Sequence, residues 1–195
     1  MITTGKISQK RLLFEDQHLE RLTKASRYFA YPFNAEELRQ KIEKECQTSD
    51  SHQDYLLRII LSKSGEIELS RQILTPLSPS FCKAKLFLQE ADLNQSFTYF
   101  KTTHRPHLNL DKQEIIYHNA AGELLETSIG NLVLKIAGKL YTPPTSQGIL
   151  PGIYRQHLLE RGRVEEKVLT LADLDQAEAV YGCNAVRGLY ELEVI

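Results

Sequence analysis

The chain has 195 residues, enough to bury a core as one domain or as two small ones of roughly 90 to 100 residues each. Its 24 basic and 25 acidic side chains nearly cancel, which excludes the electrostatic footprint of a nucleic-acid or anionic-membrane binder and favours a small-molecule partner. No run of about 18 apolar residues occurs, and Met1-Ile2-Thr3-Thr4-Gly5-Lys6 lacks the apolar core of a signal peptide, so a cytoplasmic protein is expected.

From Glu15 to Tyr31 the residues Leu19, Leu22, Ala25, Ser26 and Phe29 recur at three and four, the spacing of a helix with one buried face, and Pro32 ends it. Asn34 is placed to cap a second helix running to about Cys46, with Glu37 closing a capping box. Tyr55 to Leu61 and Glu66 to Leu74 read as strands joined by a hairpin turn at Ser62-Lys63-Ser64-Gly65. Ala84 to Leu88 alternates as another strand, and the polar stretch Gln89 to Ser96 without periodicity reads as a linker.

Beyond Lys101 the pattern alternates. Strands are expected at Glu114 to His118, Asn131 to Ile136, Lys139 to Thr142, Val164 to Leu169 and Val180 to Cys183. Helices are expected at Gly152 to Arg161 and at Leu171 to Ala179, the latter capped by Thr170. The fold class is mixed α/β (α+β) in two small domains, 1–92 and 99–195, with a linker over 93–98. Cys46, Cys82 and Cys183 form no Cys-x-x-Cys pair and read as reduced structural thiols, Cys183 as an apolar filler. His104, His107 and His118 have no metal-ligand spacing, so no metal is expected.

Four separated segments carry chemistry. They are His18-Leu19-Glu20-Arg21-Leu22; Lys101-Thr102-Thr103-His104-Arg105; Gly122-Glu123-x-x-Glu126-x-x-x-x-Asn131-Leu132; and Gly148-Ile149-Leu150-Pro151-Gly152-Ile153-Tyr154-Arg155 followed by Asn184-Ala185-Val186-Arg187-Gly188. Each is weak alone, but together, and in this order, they resemble the class IV aminotransferases, the fold-type IV pyridoxal-phosphate enzymes. Within that family the chain is most similar to the 4-amino-4-deoxychorismate lyases.

The resemblance implies pyridoxal 5'-phosphate as cofactor, with Lys101 forming the Schiff base and Glu126 keeping the pyridine nitrogen protonated so that the ring can absorb electrons. It implies that Arg21 grips the phosphate, a task suited to a planar guanidinium fork, and that Gly152 and Ile153 offer helix N-terminal amides to the same group. Asn184 and Ala185 are expected near cofactor and substrate, and Asn131 as structural support. Lys101, or Thr103, would protonate the departing group, and Arg58, Arg105 and Arg187 are candidate partners for an anionic amino substrate. The implied reaction gives 4-aminobenzoate and pyruvate, a step toward folate, in a homodimer.

Other readings stay open. The same machinery serves a branched-chain or D-amino-acid aminotransferase, and a non-catalytic member could act as a binding or assembly subunit. Lys101 could be a solvated lysine, Glu126 a surface carboxylate, and Arg21 a helix-surface partner of Glu20 or Asp16. Arg58, Arg105 and Arg187 could serve structural ion pairs. Two departures from the family pattern are expected to reshape the substrate pocket. Against many family members, one or two N-terminal strands upstream of Thr3-Thr4 are expected to be absent, and a shortened Pro106 to Asp111 segment is expected to leave little room for the helix that normally follows the lysine.

Overall fold

The structure, a computed structural model, describes residues 1–79, 81–89, 96–103 and 113–195. Its contacts divide into one unit of Met1–Pro76 with Phe100–Thr103, and a second of Leu77–Tyr99 with the described part of His104–Ile195. This division differs from the expected one over 1–92 and 99–195. Phe100 packs on the first unit's core and the Lys101 carbonyl accepts from Ile2 N at 3.0 Å, which ties the lysine to the N-terminal unit. The expected 93–98 linker lies partly outside the described residues, and Ser96–Tyr99 is a short helix.

The first unit is a four-stranded antiparallel sheet carrying two helices. Its elements are β1 (Ile2–Ser8), β2 (Arg11–Leu12), α1 (Glu15–Phe29), α2 (Ala35–Gln47), β3 (Tyr55–Leu61) and β4 (Ile67–Ile73), with sheet order β2-β1-β3-β4. The three-and-four spacing of α1 buries Leu19, Leu22 and Ala25 against Ile7, Leu57, Ile59 and Leu61. The helix stops at Phe29, before Pro32, because Ala30 turns left-handed (φ 54°) and its amide caps back onto Arg27 O. Asn34 caps α2 as expected, its Oδ1 accepting from the amides of Glu36 and Glu37 at 3.0 and 3.2 Å. Glu37 does not close the box, and pairs instead with Lys41 at 2.9 Å.

Strand β1 fell outside the sequence reading. Thr3-Thr4-Gly5-Lys6 has no apolar alternation, yet Thr3 is fully buried opposite Ile59 while Thr4 faces the other side opposite Arg58. Its buried face is therefore partly polar, which hydrophobic periodicity cannot register.

The second unit consists of β5 (Lys83–Leu88), α3 (Ser96–Tyr99), β6 (Glu114–His118), β7 (Leu124–Thr127), β8 (Asn131–Ile136), β9 (Lys139–Thr142), α4 (Ile153–Glu160), β10 (Glu165–Glu166), α5 (Leu171–Asp175), β11 (Ala179–Asn184) and β12 (Gly188–Val194). The sheet order is β10-β9-β8-β11-β12-β5-β6-β7, and a further pairing of β7 with β8 closes the run from β8 to β7 into a ring. Ala84, Ile116, Leu124, Leu132, Val180, Tyr190 and Leu192, contributed by the strands of that ring, form one cluster capped by Leu169 and Leu174.

The strand expected over 164–169 is only Glu165–Glu166, parallel to Tyr141–Thr142, while the carbonyl of Leu169 is drawn aside to accept from Leu124 N at 2.7 Å. Helix α5 ends at Asp175, short of Ala179, because Ala179 already pairs with Lys135 in the sheet. Its Thr170 cap is present as a full capping box with Asp173. Among the described residues no helix is long and apolar enough to cross a membrane.

Candidate active site

In the first unit the motif residues of α1 and the Lys101 segment share one neighbourhood, centred on His18. This imidazole is fully buried, with Nδ1 2.6 Å from Thr3 Oγ1 and, among the described residues, no hydrogen-bond partner for Nε2. Gly5 makes room for it, since a Cβ there would lie 2.7 Å from Nε2. Burial first, then the charges of Arg21 and Lys101, pull His18 down to about 3, so it is neutral at physiological pH. The same interaction brings the charges of Arg21 and Lys101 to bear on one ring. Both are half-buried and both have interaction partners.

Other first-unit candidates lie elsewhere. Arg58 is exposed on β3 and pairs with Thr4, on the sheet face away from the core that α1 covers. Thr103 is exposed, in contrast to buried Thr102 before it. Arg105 and the shortened segment after it lie outside the described residues.

In the second unit two of the motif residues, Glu126 and Asn131, converge on the backbone of Leu150. Glu126 is the next-to-last residue of β7 and Asn131 opens β8, and the two face each other as the single register pair between those strands. Glu126 Oε2 accepts from Leu150 N at 3.4 Å, while Asn131 Nδ2 donates to Leu150 O at 2.8 Å. Both side chains are buried. They fix the Leu150-Pro151-Gly152 approach to α4.

A Cβ on Gly152 would fall 1.9 Å from Asn131 Oδ1, so only glycine fits, and α4 opens without a side-chain cap. Buried Arg155 holds that helix to Pro143 O at 2.8 Å and to Glu166. A helix start whose N-cap residue is a glycine and supplies no side-chain cap is a suitable cradle for an anion.

Asn184 is committed to a turn. Its Oδ1 accepts from the amides of Val186 (3.0 Å) and Arg187 (2.9 Å), and its Nδ2 donates to Ile129 O at 3.4 Å. What it offers a ligand is therefore backbone, together with that of buried Ala185. Arg187 is half-buried at the end of this turn, and burial draws its guanidinium below the usual value.

With this geometry in view, the family assignment is direct. The family model described as amino-transferase class IV matches residues 1–195. The chain belongs to the class IV aminotransferase family. That makes it a member of a family of pyridoxal-phosphate enzymes. The aminodeoxychorismate lyase of Saccharomyces cerevisiae is 26% identical over 205 residues, which is 78% of this class IV chain and 54% of the yeast protein. The chain thus spans about half the length of that curated relative.

Solved structures agree on the fold. A proposed amino-acid aminotransferase from Mesorhizobium loti superposes with a TM-score of 0.85 at 24% identity, covering 100% of this chain and 99% of that one. A proposed 4-amino-4-deoxychorismate lyase from Legionella pneumophila gives 0.78 at 21% identity, covering 100% and 82%.

Sequence reasoning missed a second polar centre in this class IV chain. Glu114, at the head of β6, is fully buried. Its Oε1 accepts from Ser128 Oγ (2.5 Å) and Ile129 N (3.2 Å), and its Oε2 from Tyr190 Oη (3.1 Å). Burial raises the Glu114 pKa, and these donors, with the Thr127 hydroxyl, oppose the rise. One local signal existed: an acid heading the otherwise apolar run Glu114-Ile115-Ile116-Tyr117.

Proposed function

We propose that this chain binds pyridoxal 5'-phosphate and uses it to convert 4-amino-4-deoxychorismate to 4-aminobenzoate and pyruvate. The observation that carries the reading is the Gly152 cradle: an uncapped helix start where a Cβ would collide, pinned through Leu150 by Glu126 and Asn131. The similarity to the yeast lyase over 78% of the chain supports the choice of substrate. Bound, the cofactor supplies an electron sink for the pair released when a proton leaves the substrate.

The residues divide the work. Lys101 holds the aldehyde end, and its amine, once free, takes the proton from the substrate's ring carbon. An amine must be unprotonated to act as a base, and His18 adds no charge of its own beside Lys101 and Arg21. Arg21 is the first unit's candidate for the phosphate, Gly152 and Ile153 are the second unit's, and Glu126 is the second unit's candidate partner for the ring nitrogen. Asn184 and Ala185 present backbone to the ligand. Lys101 returns a proton to the leaving three-carbon group, with Thr103 as the alternative donor. Arg187 and Arg105 receive substrate carboxylates, while Arg58, on the far sheet face of its unit, is the weakest candidate for that role.

Titrating the purified protein with pyridoxal phosphate and recording the visible spectrum tests the cofactor reading. A new band that Lys101→Ala abolishes is the expected result. No band in the unsubstituted protein would leave the non-catalytic reading standing. Conversion to the amine form of the cofactor by an amino acid, reversed by 2-oxoglutarate, would make the chain an aminotransferase. The proposal includes a homodimer, against which sedimentation at only 22.3 kDa would count.

A further inference from the structure

A carboxylate with no exposed surface and, among the described residues, only neutral donors around it is costly to keep, and an apolar residue at the head of β6 would avoid that cost. Glu114 must therefore be read by what its two oxygens connect. One holds the Thr127–Gly130 turn, through Ser128 Oγ and Ile129 N; the other holds Tyr190 on β12. Ser128 is also bonded to β6 itself, donating its amide to Ile115 O at 3.0 Å and accepting from Ile115 N at 3.2 Å.

The turn in question is the one that sets Glu126 and Asn131. Because β7 and β8 share only the Glu126–Asn131 pair, no ladder fixes their separation. The turn does so instead, closed by Thr127 N to Gly130 O at 2.9 Å and by the Thr127 hydroxyl on both Gly130 O and Gly130 N at 3.1 Å. Its far side packs directly on β11, where a Cβ at Gly130 would lie 2.5 Å from Cys183 O. Ile129 is gripped at both ends, its amide by Glu114 and its carbonyl by Asn184 Nδ2.

We propose that Glu114 is a positioning residue: it never touches the ligand, but fixes the Thr127–Gly130 turn and, through it, Glu126, Asn131 and the Asn184 turn. In its cofactor-related consequences the proposal rests on the pyridoxal-phosphate reading above. Its structural core does not.

The test compares Glu114→Gln with Glu114→Asp and with Leu134→Ala, a core truncation in the same unit that touches none of these bonds. Glutamine keeps the length and one acceptor but loses the charge, and its amide can still donate to Tyr190 Oη. Hydrogen exchange on the protein without cofactor should show the Ile129 and Leu150 amides exchanging about tenfold faster in Glu114→Gln, the size of one weakened charge-assisted bond. Amides at the far end of β11, at Val180 and Tyr181, should be unchanged. With pyridoxal phosphate added, cofactor affinity should fall by about the same factor and the visible band should shift, whereas Leu134→Ala should move neither. Glu114→Asp should not rescue, being one methylene too short to reach both sides.

Unchanged protection at Ile129 and Leu150 in Glu114→Gln would overturn the proposal. So would a loss of protection spread evenly over the unit and matched by Leu134→Ala. If the unsubstituted protein gives no band, the cofactor reading fails by itself, and the exchange measurement still decides the role of Glu114.

Discussion

The first unit buries an imidazole and the second buries a carboxylate, and their surroundings differ in kind. Among the described residues the His18 ring bonds to Thr3 alone and its Nε2 is orphaned, and it is kept uncharged beside Arg21 and Lys101. Glu114 is surrounded by donors from Ser128, Ile129, Tyr190 and Thr127. The contrast shows two ways of placing a titratable group inside a protein. An imidazole can give up its charge and so tolerates an unpaired nitrogen, adding no further positive charge beside Arg21 and Lys101. A carboxylate ringed by donors instead becomes a fastening point for the chain segments that supply them.

The two groups should give opposite pH dependences, and this is the largest expected effect. His18 titrates near 6.5 unfolded and about 3 folded, so its contribution is present above 6.5 and is lost as the pH falls toward 3. Complete loss amounts to roughly 4–5 kcal/mol, at about 1.4 kcal/mol per unit. Glu114 has a raised folded value, so its contribution is present at acid pH and is lost as pH rises through that value. Denaturant unfolding from pH 3 to 8 should show the acid-side loss shrinking in His18→Asn and steepening in Glu114→Gln. Parallel curves for all three proteins would erase the distinction drawn here.

Next in size is Gly152→Ala. Its Cβ must displace Asn131 Oδ1 from 1.9 Å and break the bond to Leu150, an expected loss of about 3 kcal/mol by thermal or chemical unfolding. Gly5→Ala sharpens the first-unit side of the comparison. Contacts of 2.7 Å with His18 Nε2 and with Leu12 Cδ1 should cost about 1–3 kcal/mol, and less in a His18→Asn background, as a double-mutant cycle would show. The smallest effect is expected at the surface. Arg39→Ala removes exposed pairs to Glu15 (3.3 Å) and Asp16 (2.9 Å) and should change stability by no more than about 1 kcal/mol.

The same comparison explains what could be read from the sequence. Helices α1 and α2 and the β3–β4 hairpin were legible because periodicity, the Asn34 cap and the Gly65 turn are local signals. Strands β1, β7 and β12 were not. β1 buries a threonine, β7 is buried at four successive positions without alternation, and β12 starts at a left-handed glycine inside a motif read for its chemistry.

The site divided along the same line. Arg21, Lys101, Glu126 and Gly152 sit in short motifs, whereas the roles of His18 and Glu114 arise from cross-strand register: Thr3 opposite Ile59, and the Ser128 turn beside Ile115. Assigning Lys101 to the C-terminal half followed from sequence order. Its backbone bond to Ile2 is a return of the chain that sequence order does not contain.

The central claim is chemical, and one measurement addresses it most directly. The purified protein is supplied with pyridoxal phosphate and 4-amino-4-deoxychorismate, and 4-aminobenzoate and pyruvate are quantified together over time. The account predicts the two products in a ratio of about one to one, lost in Lys101→Ala and strongly reduced in Glu126→Gln. A cofactor-loaded protein that forms neither product, or that forms them equally well without Lys101, would contradict it.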